Sequence, residues 1–101
     1  MNKVFVGNAL DQLKKIHALS CKVNGLSEQG HQNKLLQLVR SHVDEIEMLY
    51  AKKDPHAIVE TGDLLILCLE LLIENQADCN AVIHKCFERY EKKLTQLLER
   101  K

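Results

Sequence analysis

Four carboxylates, grouped in two pairs, are the residues of this chain whose type and spacing point to chemistry. Asp44 and Glu47 stand three apart, as do Glu60 and Asp63. In a helix that separation puts both members of a pair on one face, with Cβ atoms about 5–6 Å apart. On adjacent antiparallel helices the two pairs would face a common groove. Four carboxylates converging there repel one another unless a divalent cation neutralises them. An all-oxygen donor set selects a hard ion, Mg²⁺ first and Mn²⁺ next. Magnesium held this way keeps waters and open positions that a polyphosphate can occupy. Donors for such phosphates are on hand further along: Lys85, Arg89, Lys92 and Lys93 follow a helical i, i+4, i+7, i+8 pattern. The plainer reading of that basic stripe is a solvated face paired with Glu88 and Glu91.

The elements that must position these groups are helices. Leu10, Leu13, Ile16 and His17 recur at helical spacing from about Ala9 to Val23, and Asn24-Gly25 is a natural stop. Residues 26–32 read as a loop or frayed turn. A second pattern runs from about Asn33 to Lys52, with Leu35, Leu36, Val39, Val43, Ile46 and Tyr50 as its apolar stripe. Asp54-Pro55 gives an N-cap followed by proline at the first helical position, and the third helix is expected to reach about Glu74. Asp78 caps a fourth helix carrying Val82, Cys86, Phe87, Tyr90, Leu94 and Leu97 or Leu98. Short connections between four helices make an antiparallel arrangement the economical one. The fold class expected is therefore all-α, a single domain over residues 1–101 with an antiparallel four-helix bundle-like protomer.

Composition narrows the function classes. With 101 residues, one proline, four glycines and four aromatics, the chain lacks the turns and strand-forming residues of a sandwich or barrel. Fourteen basic and fourteen acidic side chains cancel, so the whole molecule has no long-range attraction for nucleic acid or an anionic membrane. The most apolar run, Leu64 to Ile73, is half the roughly 20 residues a membrane span requires and is interrupted by Glu70. The stretch Met1 to Gly7 is too short an apolar segment for a signal peptide. Cys21, Cys68, Cys79 and Cys86 form no CxxC pair and share no zinc-ligand rhythm with the five histidines. They are expected to be reduced, mostly buried thiols of a cytoplasmic protein. The third helix is apolar around most of its circumference, which predicts a homodimer or homotetramer that buries what one chain leaves uncovered.

The pattern Asp44-x-x-Glu47 followed by Glu60-Thr61-Gly62-Asp63-Leu64-Leu65 resembles the EExxE…ExxD signature of MazG-like nucleoside triphosphate pyrophosphohydrolases, members of the all-α NTP pyrophosphatase superfamily. The resemblance covers roughly residues 33 to 95. It implies that Asp44, Glu47, Glu60 and Asp63 hold Mg²⁺ in a helical oligomer that hydrolyses a nucleoside triphosphate to the monophosphate and pyrophosphate. It also implies metal-assisted in-line attack by water, with Glu47 contacting that water directly or through the metal, and glycine at position 62. Val43 stands where the signature has its first glutamate, and Asp44 is one methylene shorter than the second. The competing reading is a catalytically degenerate relative that binds nucleotide without hydrolysis, or a non-enzymatic helical interaction module.

Overall fold

The structure, a computed structural model, describes Phe5, residues 7–25 and residues 27–100. Met1 to Val4, read above for a leader segment, and Leu26 lie outside the described residues. The chain forms four helices: α1 (Ala9–Asn24), α2 (Glu28–Ala51), α3 (Ala57–Glu74) and α4 (Cys79–Glu99). The all-α expectation holds: among the described residues there is no strand. No helix among them is long and apolar enough to cross a membrane.

Local chemistry explains the boundaries. Gly25 ends α1 in the left-handed conformation at φ +58°, with its N–H donating to the Cys21 carbonyl at 3.0 Å. The segment expected to be a loop instead starts α2 five residues early. Ser27 takes the extended N-cap conformation and its hydroxyl accepts from the Gly30 N–H at 3.2 Å, satisfying a donor that would otherwise leave the helix start frayed. Asp54 does not cap α3 directly. Its carboxylate accepts from the His56 N–H at 2.9 Å, and the chain makes one tight turn through Pro55 before α3 proper begins. Asp78 caps α4 as the sequence suggests, accepting from the Ala81 N–H at 3.1 Å.

Helices α2 and α3 run antiparallel, since His31 and Glu74 meet at one end of the pair and His42 and Glu60 at the other. Helix α1 lies against the C-terminal half of α3, where Leu13, Leu69 and Cys79 form the buried cluster and Leu10, Ile66 and Leu72 pack on it. Leu35, with no exposed surface at all, and Leu49 and Ala57 are the other buried apolar residues. Helix α4 joins this core only through its first turns: Cys79 is buried, and Asn80 accepts from the Phe5 N–H at 2.8 Å. Every residue from 87 to 100 is exposed.

Two expectations about burial change. Of the four cysteines only Cys79 is buried; Cys21 and Cys68 are exposed and Cys86 is half-buried. Burial and the neighbouring Asp78 carboxylate push the Cys79 thiol above its ordinary pKa. The apolar surface that most lacks a partner is on α4 rather than α3. Phe87, Tyr90, Leu94, Leu97 and Leu98 are all exposed and fall within about 100° of one another on the helical wheel.

Candidate functional site

Among the described residues, every cation–carboxylate pair within 4.0 Å uses histidine as its cation. Lysine and arginine take no part, so the basic stripe of α4 is not tied down by an ion pair among the described residues. The tertiary pairs gather in two places on opposite ends of α2 and α3.

The first place holds the expected α3 carboxylates. Glu60 lies in the first turn of α3, and its two oxygens face His42 of α2 at 3.4 Å and His56 at 3.2 Å. One atom each from His42, Glu60 and Asp63 lie within 4.8 Å of one another, a set able to take a metal ion. His42 is held by its other nitrogen, Nδ1, which donates to the Leu38 carbonyl at 3.0 Å. That bond holds the ring with Nε2 facing the Glu60 carboxylate. His42 and Glu60 are half-buried and Asp63 is exposed, so the set opens to solvent on one side.

The other sequence-predicted residues stand apart from it. Asp44 and Glu47 are both exposed and belong to no set of three or more metal-capable side chains among the described residues. The helix repeat gives the reason. With His42, Ile46 and Leu49 turned to α3, Asp44 and Glu47 sit about 160° and 140° away from His42. Lys85, Arg89 and Lys92 are exposed on α4, on the face opposite its apolar stripe. Gly62 is also exposed, and a Cβ added there would meet nothing within 4 Å, so no neighbour in this chain requires its lack of a side chain.

The second place was not visible in the sequence. His17 and Cys21 of α1, His31 of α2 and Glu74 of α3 each present one ligand atom, all within 4.8 Å of one another. His17 Nδ1 lies 3.2 Å from Glu70 Oε1, and its Nε2 lies 2.8 Å from Glu74 Oε2. The Cys21 sulfur is 3.7 Å from the same Nε2. His31 is 2% exposed, its ring centroid is 5.3 Å from that of His17, and its Nε2 lies 3.7 Å from Glu74 Oε2. Burial and the Glu74 and Glu70 carboxylates push the Cys21 thiol above its ordinary pKa. Local sequence carried half a signal: His17 and Cys21 are four apart and therefore share a face of α1. His31 and Glu74 have no sequence relation to that pair and join it only through packing.

A cavity of 540 Å³ between the start of α1 and the α3–α4 junction, lined by Leu10, Lys14, Ile73 and Cys79 among others, contains neither histidine group. No family model, no curated protein and no solved structure matches this chain.

Proposed function

We propose that the protein is a divalent-cation-dependent nucleoside triphosphate pyrophosphohydrolase similar to the MazG-like enzymes, working as an oligomer of identical chains. The observation that carries this reading is the meeting of Glu60 and Asp63 with His42 at the open edge of the α2–α3 groove. Two acids interrupt an otherwise apolar stretch of α3, and a residue of the facing helix is turned toward them. That arrangement suits a cation better than a bare carboxylate pair does.

The donor set differs from the all-carboxylate one expected from the sequence. A nitrogen from His42 beside two carboxylates makes Mn²⁺ as fitting as Mg²⁺. A cation held by His42, Glu60 and Asp63 would supply charge neutralisation at the phosphates and an activated water. His42 is oriented through the Leu38 carbonyl, and His56 lies beside the second oxygen of Glu60 from one turn away. Asp63, the exposed member, is the carboxylate placed to contact an incoming water. In this arrangement the water-orienting role passes from Glu47 to Asp63. The apolar stripe of α4 supports a second copy of the chain as partner, since it offers five large exposed apolar side chains along one face.

The outward placement of Asp44 and Glu47 favours one alternative, a helical module that binds metal or nucleotide without turnover. A panel of canonical and modified triphosphates, incubated with the chain and either Mg²⁺ or Mn²⁺ and assayed for pyrophosphate, separates the two. Turnover lost in Glu60→Gln and in Asp63→Asn is the expected result. No turnover of any triphosphate with either ion, or full turnover in Glu60→Gln, overturns the enzyme reading. Nucleotide binding without turnover would establish the alternative.

A further inference from the structure

We infer that His17, Cys21, His31 and Glu74 form a site for a four-coordinate divalent transition metal, zinc by the chemistry of its donors, which fastens α1, α2 and α3 to one another. The inference is independent of the pyrophosphohydrolase reading, because the site lies about 16 Å along α2 from His42 and shares no residue with that set.

The first argument is geometric. Bonds of about 2.0–2.3 Å around a tetrahedral zinc place its donor atoms about 3.3–3.6 Å apart. The Cys21 sulfur and His17 Nε2 are 3.7 Å apart, as are His31 Nε2 and Glu74 Oε2. His17 Nε2 and Glu74 Oε2 are 2.8 Å apart, and one ligand atom from each of the four residues lies within 4.8 Å of the others.

The second argument comes from an unpartnered buried atom. His31 Nε2 is fully enclosed, points at Glu74 and has no hydrogen-bond partner among the described residues. An enclosed polar nitrogen without a partner costs about 1–3 kcal/mol. Its other nitrogen, Nδ1, is engaged by the Asn24 side-chain amide at 3.2 Å. Half a rotation of that amide lets Nδ1–H donate to the amide oxygen, leaving Nε2 as a lone pair aimed into the site.

Counting protons at His17 gives the third argument. A neutral imidazole carries one N–H, yet Nδ1 and Nε2 each face a carboxylate oxygen within 3.2 Å. Either a second proton or a metal ion must lie on the Nε2 side. A proton would satisfy His17 alone and leave His31 Nε2 unpartnered, whereas one metal ion serves both rings. With Nδ1–H donating to Glu70, the arrangement is the carboxylate–histidine–metal relay that fixes ring orientation and strengthens the ligand. Glu70 is itself 4% exposed and has His17 as its partner, as a buried charge requires.

The donor types then choose the ion. One thiolate, two imidazoles and one carboxylate are a borderline-soft set, and four protein ligands close a tetrahedral shell with no position left for substrate. Ca²⁺ and Mg²⁺, which take oxygen ligands, do not suit it. The ligands come from three helices, so binding would be coupled to their docking.

The test uses the full chain, stripped of metal by chelation and titrated with Zn²⁺ or Co²⁺. One ion per chain is expected to bind at this site, raising the thermal midpoint. With cobalt, a thiolate-to-metal charge-transfer band and the intense visible bands of a four-coordinate ion should appear. Cys21→Ser, at an exposed position, removes the thiolate band while far-ultraviolet circular dichroism stays unchanged, and Glu70→Gln weakens binding about 10- to 100-fold. The Glu60→Gln and Asp63→Asn chains are expected to bind zinc as the parent does, whatever their activity. A cobalt spectrum without thiolate ligation, a spectrum unchanged in Cys21→Ser, no saturable binding, or binding lost in Glu60→Gln would each overturn the assignment.

Discussion

The two histidine–carboxylate groups of this protein use the same residue types in different settings. His17, Cys21, His31 and Glu74 come from three helices, gather around a 2%-exposed imidazole with Cys21 on the exposed side, and supply four donors. His42, Glu60 and Asp63 come from two helices, sit at an edge, and supply three. Enclosure and donor number decide what each can do. A closed set of four offers an ion no free position and therefore suits a structural role. An open set of three leaves room for water and a phosphate oxygen. On the two proposals, the stabilising chemistry would lie where three helices meet and the reactive chemistry at the edge between two.

Exchanging one glutamate for glutamine in each group is the sharpest way to separate them. Glu60→Gln should lower pyrophosphate release at least about a hundredfold while shifting stability by less than about 1 kcal/mol. Glu74→Gln should do the reverse, leaving turnover unchanged and costing about 2–3 kcal/mol through lost charged contacts to His17. Parallel assays and urea melts read both, and equal effects on both properties would erase the distinction. Leu35 lies one turn beyond His31 and two turns before His42, and is wholly buried. Leu35→Ala is expected to cost about 2–5 kcal/mol and to weaken zinc binding and turnover together, because both groups rest on the same α2–α3 seam. The smallest effect concerns Gly62 at the open group. With nothing near a Cβ there, Gly62→Ala should gain up to about 1 kcal/mol in thermal melts. A loss instead would show that a second chain covers this face.

Much of the fold was legible from local signals. The Asn24-Gly25 stop and the Asp78 cap appear where the residues suggest, because a left-handed glycine and a capping carboxylate act within one turn of themselves. The early start of α2 was not legible: the Ser27 cap was outweighed by the polar composition of residues 28–33, which gave no apolar stripe to follow. Glu60 and Asp63 were legible because acids inside an apolar helix stand out. Asp44 and Glu47 have the right spacing, but the face α2 turns toward α3 is set by Leu35, His42, Ile46 and Leu49. That choice leaves the two acids in solvent.

The sequence by itself determined that the chain is helical, where most of its helices stop, and that α3 carries an acidic pair. These follow from period, caps and burial cost, each acting over a few residues. Only the tertiary structure decided which histidines of α1 and α2 meet the acids of α3. His17 and His31 are separated by a helix end and a turn, and Glu74 lies 43 positions beyond His31. Their convergence depends on the antiparallel register of α2 and α3 and on α1 lying across the end of that pair. Such long-range geometry arises from how apolar faces pack together, which no spacing within one helix encodes.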